Sequence, residues 1–84
     1  MEENIAVTIA TASGEERAEL FARAHALSSR EAELLGHLNA GRDTREISAA
    51  MHLSEHTVQD HLKSIFAKTG VRGRRNLLAR LRGR

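Results

Sequence analysis

Apolar residues recur along this chain at helical spacing, and short polar clusters cut them into separate pieces. From Leu27 onward the punctuation is regular. Ser28, with Glu31 three residues later, has the form of a capping box, and Leu34, Leu35 and Leu38 follow as an apolar stripe. Gly41 stands where a left-handed residue ends a helix. Asp43 with Glu46 repeats the box and opens a short helix through Ile47, Ala50 and Met51. Ser54 caps a third helix that runs to about Lys68, with Gly70 beyond it. A fourth helix starts near Arg74 and carries Leu77, Leu78 and Leu81. Its cap position falls on Gly73, weaker than Ser or Asp by a few tenths of a kcal/mol. Four short helices with tight connections predict an all-α, four-helix bundle.

Upstream the pattern changes. Ile5-Ala-Val-Thr-Ile9 alternates β-branched residues and reads as a strand, either the last strand of a preceding domain or part of a disordered tail. Ser13 and Gly14 then punctuate, and Glu15 to Ala26 reads as a linker helix with Leu20, Phe21, Ala24 and Leu27 at helical spacing. Residues 1–26 are accordingly expected to form an extension and linker, and residues 27–84 the folded domain.

The link from Met51 to Ser54 is short enough to force the second and third helices to cross steeply, which is the geometry of a helix-turn-helix. With Val58 at zero and ~100° per residue, Leu62, Ile65 and Phe66 fall within roughly 80° of it and form a buried side. His56, Asp60 and Lys63 lie at roughly 140–200°, with Gln59 on the flank at about 100°. That outer face is free to enter a groove of DNA. Gln bonds adenine in two-pronged fashion, Asp accepts from the cytosine amino group, and Lys reaches guanine or phosphate. Thr57, beside the free N–H groups of the helix start, is placed to bind a phosphate. An ordinary solvated helix face has similar polarity, so it is the adjoining turn that favours DNA.

Composition removes several competing readings. The 84 residues suffice for one small domain. Two Phe are the only aromatics, so readers that stack bases on aromatic platforms are disfavoured. There is no Cys, hence no disulfide framework, thiolate metal site or thiol nucleophile. No stretch resembles a signal peptide or is apolar for long enough to span a membrane, and a cytoplasmic protein is the expectation. His52-Leu-Ser-Glu-His56 spells a zinc-peptidase string, but zinc binding needs both His on one continuous helix, and Leu53-Ser54 breaks it. No enzyme, metal or cofactor is implied.

The net charge of +2 conceals an asymmetry. Residues 1–26 carry a balance of −3 and residues 27–84 one of +5, which suits a polyanion partner. Arg72, Arg74 and Arg75 sit near the start of the fourth helix, where positive charge opposes the helix dipole. A DNA backbone is one candidate to favour them there and plain solvation the other, while a membrane surface is disfavoured because the apolar face lacks bulky aromatics.

The ordered motifs also carry a family resemblance. Leu27-Ser-Ser-Arg-Glu31, Ala40-Gly41, Thr44-Arg-Glu-Ile47, Leu53-Ser-Glu-His-Thr-Val58, His61 and Lys68-Thr-Gly-Val-Arg72 resemble the LuxR-type helix-turn-helix domain of bacterial transcription regulators, over roughly residues 27–82. The chain departs from that pattern at Ser29, where the family usually has Pro, and at Gly73 and Asn76, where it usually has Ser and Glu. The resemblance implies a recognition role for the third helix, with Thr57, Gln59, Asp60 and Lys63 facing DNA. It implies a homodimer through the fourth helix (Leu77, Leu78, Leu81) and a structural role for Glu31. Double-stranded DNA is the expected partner, with RNA polymerase a further candidate. Two other readings stay open: a protein-interaction module using the same exposed helix, and a DNA-binding region of sigma-factor type.

Overall fold

A computed structural model describes residues 14–83. The strand expected over Ile5–Ile9 lies outside them. The described residues form five helices and no strand: α1 (Gly14–Ala24), α2 (Ser29–Asn39), α3 (Thr44–Met51), α4 (Glu55–Thr69) and α5 (Arg74–Leu81). Four of these are the helices expected from Ser28 onward, and α1 falls where a helix was expected over residues 15–26.

The helices begin where side chains can satisfy their first N–H groups. Ser28 and Asp43 each accept from the backbone three residues on, while Glu31 and Glu46 return the bond to the cap residue. Ser54 caps α4 through the Thr57 N–H. The ends follow an equally regular logic. After α2, Gly41 is left-handed (φ +86°), the Arg42 N–H bonds the His37 carbonyl and the Gly41 N–H bonds that of Leu38. That is a Schellman closure, and it stops the helix at a residue for which positive φ carries no Cβ penalty.

α5 has neither device at its start. Gly73 offers no side chain, and three arginines crowd the beginning of the helix. Tertiary burial supports it instead, because Leu77 and Leu81 insert into the core. That core draws fully buried side chains from every helix but α1: Leu34 and Leu35 from α2, Ile47 from α3, Val58 and Ile65 from α4, Leu77 from α5. α2 is the central element and packs against all four others.

α1 is docked on the bundle through a face other than the expected stripe. It buries Ala18 and Ala22, with Phe21 half-buried, against α2 and α5. Leu20 is half exposed, because a helix turns it roughly 160° away from Ala18. Two alanines let the backbones approach closely, which a leucine on that face would prevent.

Candidate nucleic-acid interface

The bend between α3 and α4 is made by backbone geometry at a non-glycine residue. His52 is left-handed (φ 57°, ψ 43°), the Leu53 N–H bonds the Ser48 carbonyl at 2.9 Å and the His52 N–H reaches that of Ala49 at 3.4 Å. These two bonds close α3 in a second Schellman turn, and Ser54 opens α4 two residues later. His52 and His56 therefore stand on opposite sides of a helix break, His52 in the turn and His56 in the first turn of α4.

The turn delivers α4 with one side fixed and the other free. Val58, Leu62 and Ile65 are buried and Phe66 packs against the core, whereas His56, Gln59, Asp60 and Lys63 are exposed. His56 Nε2 lies 3.6 Å from Asp60 Oδ2, an exposed pair one turn apart that contributes little. Thr57 is half-buried, and its hydroxyl is 2.9 Å from that of Ser54. One hydroxyl proton satisfies that contact, which leaves a second for an acceptor arriving from solvent.

A buried carboxylate ties α4 to the bundle. Glu31 is 3 % exposed. Its Oε2 accepts from Ser64 Oγ at 2.6 Å, and its Oε1 accepts from Lys68 Nζ at 2.9 Å and from the Ser28 N–H at 2.8 Å. Burial works against the charged form, but the bonds from Ser64, the Ser28 backbone and Lys68, with the Lys68 charge, outweigh it and hold the carboxyl at about 2. Glu31 thus joins α2 to α4 directly, and Lys68 is committed to it.

The basic residues of the C-terminal region divide by environment. Arg72 and Arg75 are exposed. Arg74 is half-buried, and its Nη2 donates to Thr44 Oγ1 at 3.3 Å, linking the start of α5 to the start of α3. The three leucines read as a dimer seam do not share an exposed face. Leu77 (0 %) and Leu81 (4 %) are consumed by the domain's own core, so neither is available to a second copy of the chain. Only Leu78 is half-buried, in a shallow depression lined by Arg74, Arg75, Ala79 and Arg82.

Comparison with known proteins decides the family. The family described as bacterial regulatory proteins, luxR family, matches residues 25–81, which takes in α2 to α5. The chain belongs to the luxR family. A probable HTH-type transcriptional regulator, GfsR, of Streptomyces halstedii is 43% identical over 58 residues, 69% of this chain and 24% of the relative. The probable csgAB operon transcriptional regulatory protein of Salmonella typhimurium and the CsgBAC operon transcriptional regulatory protein of Escherichia coli are each 40% identical over 48 residues, 57% of this chain and 22% of each relative. The chain thus spans about a quarter of the length of these relatives. No solved structure matches it significantly.

Membership of the luxR family makes this a DNA-binding domain of the type carried by transcription regulators. Among the described residues no helix is long and apolar enough to cross a membrane. Two features of this luxR-family domain escaped the sequence reading: the Arg74–Thr44 bond and a bond from Arg30 Nη2 to the Met51 carbonyl at 3.0 Å. Each joins residues 21 or more positions apart, and no local spacing signals it.

Proposed function

We propose that the chain reads double-stranded DNA sequence-specifically, with α4 lying in the major groove, and that it does so as a homodimer on an inverted repeat. The observation that carries this reading is the exposed row Gln59, Asp60 and Lys63 on a helix whose opposite side is locked by Val58, Leu62 and Ile65. Gln59 and Asp60 choose bases, since an amide presents a paired donor and acceptor to adenine and a carboxylate accepts from cytosine. His56 stands beside them at the N-terminal end of the row, where recognition helices meet base edges. Thr57 and Lys63 bind phosphates and set the register. Arg72 and Arg75 extend the backbone contact, and Arg74 supports it from its bond to Thr44. Pairing of two copies uses the outer side of α5 around Leu78, the one leucine of the three that the core leaves accessible. Two-fold symmetry then places one α4 in each of two successive major grooves.

Duplex binding measured by fluorescence anisotropy across a salt series tests this reading. The logarithm of the association constant should fall linearly with that of salt, with a slope of about −0.9 per phosphate contact. Binding that ignores salt would point to a protein-docking surface instead.

A further inference from the structure

We propose that Arg30 is a positioning residue for DNA reading, acting through the helix-turn-helix bend rather than by touching DNA. The inference rests on the DNA-reading role of α4 and adds the device that sets its angle. Arg30 and Glu31 are neighbours in the first turn of α2, and they grip the two halves of the motif separately. Glu31 holds α4 through Ser64 and Lys68. Arg30 Nη2 donates to the Met51 carbonyl at 3.0 Å, at the last residue of α3 and immediately before the left-handed His52. The same guanidinium is braced on its other side, where Nη1 meets Glu33 Oε1 at 3.0 Å.

A helix end leaves its final carbonyls without partners, and the Schellman bonds at this bend go to Ser48 and Ala49, not to Met51. Arg30 therefore caps a carbonyl that the turn itself leaves open. Its fork spans two acceptors at once, Glu33 on its own helix and Met51 on the next, so α2 fixes where α3 stops. With Glu31 fixing α4 from the adjacent position, the crossing angle of α3 and α4 is set by α2 and not by the short turn alone. Base readout by Gln59 and Asp60 needs that angle. Phosphate contacts made by flexible Lys and Arg tolerate its loss.

The test uses the full 84-residue chain and compares Arg30→Met and Arg30→Lys with the wild type. Each is titrated against a duplex enriched by the wild type from a random pool and against a non-specific duplex, with thermal melting alongside. Arg30→Met should bind the enriched duplex about tenfold more weakly, the worth of one good hydrogen bond. Non-specific affinity and the salt slope should stay unchanged, since no phosphate contact is lost. Arg30→Lys can still donate to Met51 and should recover most of the loss. Three results would overturn the proposal. Equal weakening on both duplexes with a slope shallower by about one would make Arg30 a phosphate contact. Equal weakening that tracks a lowered melting temperature would make it a stability residue only. Unchanged affinity on both would leave it no role. Failure of the wild type to enrich any duplex is a separate outcome, and it refutes the DNA-reading role itself.

Discussion

Glu31 on α2 and Ser64 on α4 share a hydrogen bond of 2.6 Å across 33 residues of sequence, and it anchors the middle of the exposed helix to the core. The carboxylate is held at about 2, below its ordinary 4.5, so its contribution to stability is complete above pH 4.5 and is lost as pH falls towards 2. Discounted because Lys68 keeps part of its side chain in water, that contribution is on the order of 2 kcal/mol. Glu31→Gln should lower stability at neutral pH by about this amount. It should also remove the corresponding slope from a plot of unfolding free energy against pH between about 4.5 and 2. A slope equal to that of the wild type would show that the acid loss arises elsewhere.

His52 adopts a conformation that favours glycine by roughly 1 kcal/mol. His52→Gly should raise the melting temperature, by an amount corresponding to up to about 1 kcal/mol, partly offset by the greater freedom of glycine in the unfolded chain. DNA affinity should be unchanged, because the turn already has the geometry that glycine prefers. A fall in stability would mean that the imidazole makes a compensating contact.

The sequence made some of this legible and withheld the rest for identifiable reasons. Caps are local, so Ser28 with Glu31, Asp43 with Glu46, and Ser54 announced three helix starts, and all three are present. Gly41 and Gly70 marked two ends by chemistry alone. The turn at His52 lacked that marker, and only the Ser54 cap revealed the break. α1 was recognisable as a helix, but its buried side was not. Leucine and phenylalanine looked like the apolar stripe, whereas the close packing of two helices selected Ala18 and Ala22.

On α4, periodicity separated Gln59, Asp60 and Lys63 from Val58, Leu62 and Ile65, and the structure places them on opposite sides of the helix. In α5 the same reasoning could not divide Leu77 and Leu81 from Leu78. A short helix on a small core spends most of its apolar side on the monomer. The bonds of Arg30 and Arg74 depend on tertiary proximity alone.

Lys63 is exposed at the centre of the outer face and touches phosphate in the proposed complex. Lys63→Ala should weaken binding to all duplexes alike and make the salt slope shallower by about one. A loss confined to one preferred sequence would instead assign Lys63 to a base.

Leu78 lies among Arg74, Arg75 and Arg82, so two copies meeting there bring like charges together, and DNA phosphates relieve the repulsion. Analytical ultracentrifugation of the free chain at micromolar concentration should find a monomer. On a duplex with two half-sites binding should be cooperative, and Leu78→Ala should reduce that cooperativity while leaving affinity for a single half-site intact. Equal weakening on one and two half-sites would remove Leu78 from the dimer contact.

Whether α4 reads bases is decided by selection of bound duplexes from a random pool, carried out in parallel with the wild type and Gln59→Ala. The wild type should enrich two half-sites related by a two-fold axis and spaced by about one helical turn, 10–10.5 base pairs. Gln59→Ala should relax preference at one position of each half-site, with the remaining positions retained. No enrichment by the wild type, or a consensus from Gln59→Ala identical at every position, would contradict it.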